Sequence, residues 1–362
     1  MILVVNPSIK HPMGDLAAIE PPIWAARYGY PVWDCQEKPL DLDNCPDEVW
    51  LMAMGANPSA SSTPKMPEVI RLSRELKKRG KVVRVGGLHS WALPEETMEE
   101  CQCDSILPQP EYEVDWDALP MDIYRAHNWH CKDRGHYAAL YTAYGCPFSC
   151  SFCNIKTLYK GWHPRPVEEV VKECEYLVSK FGVRNLKLCD ELFTVKTKRV
   201  IDLCERIEHL KLNIWAYARV GTVNPSMLKA MKRAGINWLA YGFESFDPKI
   251  RNDKKYDDED KTIAMTKDTG ISIVGNFIFG LPGETVESME YTLERAIDYK
   301  FEWVNFYTAM PYPGSNLWSE SCSRDWARYD QYNPDRLGNP MAIKFRDKAF
   351  KEYCSRTGLA IE

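Results

Sequence analysis

Three cysteines stand close together in the middle of the chain, in the run YGCPFSCSFC. They are Cys146, Cys150 and Cys153, so three thiolates can meet within one loop. Such a set can ligate three corners of a cubane iron–sulfur cluster, and the fourth iron is then open to a substrate or a second cofactor. The alternatives are three ordinary thiols in a turn, or a zinc site. Zinc usually takes two CxxC-type pairs, and no second pair lies nearby, so the spacing favours the cluster.

The composition is that of an ordinary globular chain. Its 362 residues suggest two domains, and 45% are hydrophobic and 27% charged. No apolar run approaches the length of a membrane helix, and the strand-like start MILVVNPS is not typical of a signal peptide. The net charge of −5 gives no global attraction for nucleic acid. The thirteen cysteines, without a secretory signal, indicate a reducing cytoplasm where the other ten pack as small apolar residues.

The elements that must position the cysteines alternate between strands and helices. The first hundred residues predict strands at 2–6, 32–35, 49–54 and 81–85, with a clear helix at 67–79. This alternation predicts a parallel sheet covered on both faces, with ligand-binding loops at the carboxyl ends of its strands. A polar, proline-bearing stretch at about 107–134 then predicts a linker.

Longer units follow the linker. Helical spacing after Pro166 predicts a helix there, and another helix is predicted at 342–355. Six successive strand–helix units predict a barrel-like parallel sheet that is short of eight strands, with its functional face at the carboxyl ends. The six strands are predicted at 137–144, 185–189, 213–218, 238–243, 272–279 and 303–307.

The cysteine loop and the motifs behind it resemble the radical S-adenosylmethionine (radical SAM) superfamily. In that family a CxxxCxΦC loop follows the first strand of a partial (β/α)6 barrel, and Φ is Phe152 here. The resemblance extends from residue 137 to about 318, and five further motifs recur in order. They are Cys189-Asp190-Glu191, Trp215-x-Tyr217-Ala218-Arg219, Gly242-Phe243-Glu244-Ser245, the run GNFIFGLPGET at 275–285, and Pro311-Tyr-Pro-Gly-Ser315.

This resemblance implies SAM-binding roles for six residues. The first choice for the methionine ammonium of SAM is Glu191 and the second is Asp190, since a carboxylate there makes a charge-assisted bond. The alternative is a strand-end carboxylate that caps the next helix. The other contacts are Phe152 beside the adenine, Arg219 at the SAM carboxylate, Glu244 near the ribose and Asn276 near the nucleoside.

The N-terminal unit resembles the cobalamin-binding domain of cobalamin-dependent radical SAM proteins. The residues that carry the likeness are Gly86, Gly87 and His89, in a stretch similar to the GGxHxxxxPEE run of that family. The resemblance implies that these glycines lie against the nucleotide tail of cobalamin. Residues of the other strand-end loops would join them, although the serines of the second group have helix capping as their alternative. These residues are Ser8 and His11 in the first loop and Ser59 and Ser61 in the loop at 55–64.

The lower ligand of cobalt is left open by the sequence. Cobalamin methyltransferases and mutases carry a DxHxxG motif, and this chain has His11 and Gly14 but Ile9 in place of the aspartate. Without that carboxylate the imidazole lacks its usual orienting partner. The interpretation of His11 as an ordinary loop histidine is therefore favoured over cobalt ligation.

The resemblance implies an α/β enzyme with a Rossmann-like cobalamin-binding domain at 1–108, a linker at 109–136, a partial (β/α)6 barrel at 137–318 and a short helical tail at 319–362. It implies three cofactors, a [4Fe-4S] cluster, SAM and cobalamin, with methyl transfer to an unactivated position of a small-molecule substrate. An electron donor such as flavodoxin or ferredoxin is the implied partner.

Three alternatives stay open. Some relatives that use cobalamin catalyse a rearrangement, a cyclisation or a redox step without methylation. A methylthiotransferase-like enzyme would need a second cluster and a small β-domain, for which the segment after Trp318 is too short. A cobalamin carrier or sensor that is not an enzyme would leave the three cysteines without a purpose.

Overall fold

Two parallel sheets, each in its own unit, organise the chain in the computed structural model. The structure describes residues 1–8, 18–111, 113–124, 135–251 and 258–359. The first unit comprises Met1–Arg125, Cys153–Lys160 and Pro311–Leu337, and the second comprises Ala126–Phe152, Gly161–Met310 and Gly338–Glu362. The predicted α/β class with parallel sheets is confirmed.

The first unit is built on a five-stranded parallel sheet with the strand order β2-β1-β3-β4-β5. Because the chain moves to one side of β1 and then to the other, the order reverses between β1 and β3, which is where ligands bind in open α/β sheets. The strands are β1 (Ile2–Asn6), β2 (Val32–Asp34), β3 (Glu48–Met52), β4 (Val82–Gly86) and β5 (Ser105–Ile106). The helices are α1 (Glu20–Ala26), α2 (Pro58–Ser61), α3 (Met66–Lys78), α4 (Leu88–Ala92) and α5 (Pro94–Cys101).

Branched apolar residues form the central strands of this sheet. Val5, Val49, Leu51 and Val85 are completely buried, as expected for strands covered on both faces. The four predicted strands agree with the structure to within two residues at each end. The fifth strand, β5, was not predicted, because it has only two residues and no apolar run.

The second unit contains a six-stranded parallel sheet in the order β13-β12-β11-β10-β9-β6. Each strand from β9 onward follows a helix and pairs with the strand before it in the sheet. The strands are β6 (Tyr137–Leu140), β9 (Asn185–Leu188), β10 (Asn213–Ala218), β11 (Ile236–Glu244), β12 (Ser272–Phe279) and β13 (Trp303–Thr308). The helices are α6 (Val167–Phe181), α7 (Thr197–Ile207), α8 (Pro225–Arg233), α9 (Glu259–Asp268), α10 (Val286–Tyr299) and α11 (Pro340–Thr357).

A short antiparallel hairpin interrupts this alternation. It consists of β7 (Ala143–Cys146) and β8 (Gly161–Pro164), and it brackets the cysteine loop. The sequence predicted one strand over 137–144, but the structure divides it between β6 and β7. The division falls at Thr142, whose backbone N–H donates to the side chain of Asp190 instead of continuing a strand ladder.

Local signals explain where the long helices begin and end. Helix α6 begins after Pro166 and ends at Gly182, which has a φ of +62° and caps the helix in the left-handed conformation. Helix α10 begins with a capping box, in which Thr285 and Ser288 satisfy each other's backbone N–H groups. These signals therefore fix the residues at which α6 ends and α10 begins.

Gly235 permits a close backbone approach in the turn between α8 and β11. Its φ is +93°, and a Cβ there would stand 1.9 Å from the carbonyl oxygen of Leu212. We expect Gly235→Ala to lower the free energy of unfolding by about 3 kcal/mol, because strain and a backbone clash add together. Gly182→Ala, with open space around it, should cost only about 1 kcal/mol. Urea denaturation measures the free energy of unfolding of both variants. Equal losses of stability in the two would contradict the predicted clash at Gly235.

Two expectations from composition concern membranes and disulfides. Across the part of the chain that the structure describes, no helix has the length and apolar character needed to span a membrane. The twelve cysteines in that part are all free thiols, and seven of them are buried. The burial of these seven agrees with the predicted packing role.

Candidate functional site

The cysteine loop begins at the end of β7. Cys146 is the last residue of that strand, and the loop continues through Cys150 and Cys153. All three thiols are half-buried, so iron can reach them. Among the described residues, no three His, Cys, Asp or Glu side chains already converge on one metal position. The donor set still suits a cluster, because three accessible thiols lie within eight residues.

A cation lies next to one of these thiols. Arg219, which follows the carboxyl end of β10, is 8% exposed, and its Nη1 lies 3.8 Å from the Sγ of Cys150. Its guanidinium stacks over the ring of Phe148 at 4.0 Å from the ring centroid. An N–H donor aimed at a cluster sulfur is one of the factors that set a cluster's reduction potential. The sequence anticipated an anion-binding role for Arg219 but not this contact.

Asp190, at the end of β9, is engaged inside the protein. Its Oδ1 accepts from the backbone N–H of Thr142 and its Oδ2 from the Thr142 hydroxyl, both at 2.6 Å. The side chain is 2% exposed, and burial raises the pKa of its carboxyl to about 6 although these hydrogen bonds oppose the shift. Both oxygens are therefore occupied by Thr142.

Glu191, the next residue, has a different environment. Its Oε2 is buried and has no hydrogen-bond partner. Burial, reinforced by the charge of Asp190, raises the pKa of the Glu191 carboxyl to about 8, while the N–H groups of Glu191 and Gly145 oppose the shift. A buried acceptor of this kind fits a ligand's ammonium group, as the sequence predicted for Glu191.

Glu244 lies at the end of β11 in a strained conformation. Its φ is +64°, which non-glycine residues seldom adopt, and the pairing of β11 with β12 shifts between Gly242 and Glu244. The following residue is fixed, since Ser245 Oγ is 3.0 Å from Thr292 Oγ1. Strain held in place by its surroundings is common at functional sites.

Two further predicted motifs make mainly internal contacts. Asn276 Oδ1 accepts from Asn305 Nδ2 at 2.9 Å, and its Nδ2 donates to Tyr241 O at 3.4 Å. Glu284 accepts from the backbone N–H of Gly280 at 2.5 Å and caps the turn after β12. Burial raises the pKa of the Glu284 carboxyl to about 7. Phe152, predicted beside the adenine, is half-buried.

One feature of the six-stranded sheet was not predicted as functional. Lys187 Nζ lies 5.1 Å from the ring centroid of Trp215 and 5.9 Å from that of Tyr217. These residues occupy alternate positions of β9 and β10, so they share one face of the sheet. The period-two pattern could have grouped them, but it does not say which face meets a ligand.

In the first unit, the glycine pair is required by packing. A Cβ on Gly87, which has a φ of +119°, would stand 2.3 Å from the carbonyl oxygen of Ala53. A Cβ on Gly86 would lie 3.1 Å from the side chain of Leu107. The neighbours of both glycines are thus parts of the protein itself.

The other predicted cobalamin residues divide into two groups. Ser8 and Ser59 are half-buried and lie beyond the carboxyl ends of β1 and β3. Ser61 Oγ instead accepts from Asn57 N at 2.9 Å and donates to Asn57 O at 2.7 Å. His11 lies outside the described residues.

His89 is part of the core of the first unit. It is 1% exposed, its Nδ1 is 3.3 Å from Thr63 Oγ1, and it packs edge-on against Trp326 at 4.6 Å. Burial lowers the pKa of its imidazole to about 3, so the ring is neutral at physiological pH. The predicted place of His89 beside the cofactor tail stays a prediction, and the contacts that the structure shows are those with Thr63 and Trp326.

A buried polar network at the carboxyl ends of β1 and β2 was also missed. Lys65 Nζ donates to Asn6 Oδ1 at 2.7 Å, and Asn6 Nδ2 donates to Asp34 Oδ1 at 2.8 Å. The hydroxyl of Tyr124 donates to Asp34 Oδ2 at 2.7 Å. Lys65 is 4% exposed, and burial lowers the pKa of its ammonium to about 8. Sequence alone gives no signal for it, because lysine is normally a surface residue.

This burial predicts a pH-dependent stability. The folded-state pKa of Lys65 lies below the ordinary 10.5, so the unfolded chain binds more protons between pH 8 and 10.5. Relative to Lys65→Met, the wild type should therefore gain about 3 kcal/mol of unfolding free energy across that window. Denaturant melts at a series of pH values measure the difference. Lys78→Met, at an exposed ion pair, is the control, and its difference from the wild type in unfolding free energy should not change with pH. If the difference between the wild type and Lys65→Met is also independent of pH, the assignment is wrong.

The chain is similar to known proteins in both sequence and fold. The family model described as the radical SAM superfamily matches residues 140–296. An uncharacterized methyltransferase of Pyrococcus horikoshii is 33% identical over 241 residues, which cover 63% of this chain and 50% of that protein. The bacteriochlorophyllide d C-12(1)-methyltransferase of Chlorobaculum tepidum is 24% identical over 327 residues, or 78% of this chain and 71% of that protein. The chain thus spans about half the length of the Pyrococcus relative.

A solved structure has a similar fold over nearly the whole chain. It is TsrM from Kitasatospora setae, a radical S-adenosylmethionine methyltransferase with cobalamin and a [4Fe-4S] cluster bound. The TM-score is 0.69 at 16% identity, and the match covers 96% of this chain and 90% of that one. At this identity the likeness concerns the fold. The family model therefore makes residues 140–296 similar to the radical SAM superfamily, and the likeness in fold extends over nearly the whole chain.

Proposed function

We propose that the chain is a cobalamin-dependent radical SAM methyltransferase. The observation that carries the proposal is the contact of Glu191 with the start of the cysteine loop: its carboxyl accepts from the backbone N–H of Gly145, next to Cys146, while its Oε2 is buried without a hydrogen-bond partner. When bound, the cluster and cobalamin supply reductive cleavage of SAM and methyl transfer to an unactivated position.

The architecture supports this assignment. The strand order of the first unit suits a Rossmann-like cobalamin-binding domain at 1–108, and the six-stranded parallel sheet suits a partial (β/α)6 barrel at 137–318. A linker at 109–136 and a helical tail at 319–362 complete the proposed organisation, in which residues 319–337 of the tail are grouped with the first unit. The similarity to TsrM and to two methyltransferases supports the same organisation.

The proposed roles in SAM binding follow from charge and burial. Glu191 receives the ammonium of SAM, because an unpartnered carboxylate oxygen gains most from a cationic donor. Arg219 receives the carboxylate of SAM, because it is a cation beside the cysteine loop. Its guanidinium stacks on Phe148 and lies near Cys150. Phe152, Glu244 and Asn276 complete the proposed nucleoside contacts at successive strand ends.

The proposed cobalamin contacts rest on fewer groups. Ser8 and Ser59 flank the point where the strand order reverses, and both are half-buried. Ser61, Gly86, Gly87 and His89 remain in the proposed cobalamin site, and their internal contacts support a role in shaping its loops. An electron donor such as flavodoxin or ferredoxin, a small-molecule substrate and a cytoplasmic location belong to the same proposal.

Anaerobic reconstitution with iron, sulfide and cobalamin, followed by an assay of SAM cleavage, tests the function. We expect both 5′-deoxyadenosine and S-adenosylhomocysteine, because methylation consumes SAM in two ways. Formation of 5′-deoxyadenosine alone would replace the methyltransferase with a non-methylating radical enzyme. Failure to bind cobalamin would overturn the assignment of the first unit.

A further inference from the structure

The hairpin that carries the cysteine loop is tied down at its base by buried side chains. Thr142 directly precedes β7, and both oxygens of the Asp190 carboxylate accept hydrogen bonds from it. Asp190 and Thr142 are 2% and 1% exposed. This contact joins the end of β9 to the first arm of the hairpin.

A second residue joins the two arms to each other. Arg199 of α7 donates from one nitrogen, Nη2, to the carbonyl oxygens of Thr142 at 2.7 Å and Arg165 at 2.6 Å. Arg165 directly follows β8, and its backbone N–H donates to Thr142 O at 3.0 Å. One guanidinium therefore connects the start of the first arm to the end of the second arm. A hydrogen bond to only one of the two carbonyl groups would not connect them.

A third contact ties the base to a neighbouring helix. Arg165 Nη1 donates to Tyr141 O at 2.8 Å and to Glu173 Oε2 of α6 at 2.6 Å. The side chains of Arg165 and Glu173 are 8% and 10% exposed, so water screens this ion pair little. Two cations and two carboxylates, those of Arg165, Arg199, Asp190 and Glu173, balance each other in charge.

We propose that Asp190, Arg199 and Arg165 are positioning residues, here called the hairpin clamp, that hold the cysteine loop in the geometry that binds the cluster. This rests on the proposed function and assigns Asp190 to the hairpin instead of to the ammonium of SAM. The physical reason is precision, since ligand side chains must be held to within about half an ångström by residues that are themselves fixed. Cys146 ends the clamped arm, so movement of Thr142 passes directly to a cluster ligand.

The decisive variant is Asp190→Asn, whose amide cannot accept from both Thr142 donors. We expect the reconstituted variant to lose iron to a chelator about tenfold faster than the wild type, with a broadened electron paramagnetic resonance spectrum of the reduced cluster. The affinity for SAM per intact cluster should stay within about twofold of the wild type. A tenfold loss of SAM affinity with a normal cluster would show Asp190 to be a SAM ligand and overturn the clamp.

Two further variants keep the test decisive if Asp190→Asn folds poorly. Thr142→Val removes only the hydroxyl donor to Asp190, and Arg199→Met removes the bridge between the arms; both should speed iron loss. Arg199→Lys keeps the charge and should restore part of the retention. Arg206→Met is the matched control, because Arg206 lies on the same helix in an exposed ion pair. If Thr142→Val and Arg199→Met both lose iron as slowly as the wild type, the clamp is refuted.

The outcomes separate the clamp from the function on which it rests. If the wild-type protein assembles no cluster, the proposed function fails and the clamp fails with it. If the wild type assembles a cluster and the clamp variants retain it equally well, only the clamp is wrong. Circular dichroism melts of the proteins before reconstitution show whether a variant has lost its fold.

Discussion

Replacing Cys150 with alanine should abolish the iron–sulfur cluster and all cleavage of SAM. Two thiolates cannot hold a cubane cluster that three thiolates ligate, and the variant also removes the sulfur that lies 3.8 Å from Arg219 Nη1. We expect iron and sulfide contents at background after anaerobic reconstitution, together with loss of the broad visible absorbance of the cluster. No 5′-deoxyadenosine should then form.

The matched control is Cys322→Ala. Cys322 is also a half-buried free thiol, but it lies more than 160 residues from the cysteine loop in sequence. This variant should bind the cluster and cleave SAM like the wild type. A normal cluster in Cys150→Ala would refute the central assignment, and equal losses in both variants would show a general dependence on thiols.

Much of the fold could be predicted, because parallel strands are short, apolar and bounded by turn residues. The bounds predicted for the strands at 213–218 and 272–279 are those of β10 and β12. In both strands the buried apolar residues, such as Ile214 and Val274, make the pattern unambiguous. The helix after Pro166 was equally clear, because apolar spacing and a capping glycine agree.

The break between β6 and β7 could not be predicted. Tyr141 and Thr142 are good strand formers, so local preference continues the strand through them. The hydrogen bonds that end it are donated by Thr142 to Asp190, 48 residues away. A contact at that separation has no trace in the local pattern, although it shapes the entry to the cysteine loop.

Residues 311–337 show the same limit on a larger scale. The sequence placed a domain boundary within them, near 318, and the structure groups the whole segment with the first unit. Its contacts are specific, with Trp326 Nε1 donating to Glu100 at 2.7 Å and Arg324 Nε donating to Glu96 at 2.5 Å. More than 220 residues separate each pair, so neither the contacts nor the burial of His89 under Trp326 could be foreseen.

The candidate site was predicted better in chemistry than in geometry. Residue type and spacing named the three cysteines and the Asp190–Glu191 pair. They could not distinguish the roles of these two residues, because both are carboxylates at one strand end. Their hydrogen bonds distinguish them: both oxygens of Asp190 accept from Thr142, whereas Glu191 has a buried oxygen without a partner.

In the proposed site, the raised pKa of the Glu191 carboxyl makes SAM binding dependent on pH. Because the pKa of the Glu191 carboxyl is about 8, the carboxyl is largely protonated at pH 7, whereas the ammonium of SAM binds its charged form. Binding at pH 7 should therefore release close to one proton. Calorimetric titrations of SAM in two buffers of different ionisation enthalpy measure that release, which Glu191→Gln should eliminate.

The same reasoning fixes the sign of the pH profile. The ratio of wild-type to Glu191→Gln affinity should rise about tenfold per pH unit between 6 and 8 and become constant above 8. Taking the ratio removes the ammonium's own titration, which both proteins share. At the plateau the wild type should bind SAM about 50-fold more tightly, as expected for a hydrogen bond between charged groups. Glu205→Gln, at an exposed ion pair, should match the wild type throughout, and a ratio independent of pH would exclude Glu191 from the ammonium site.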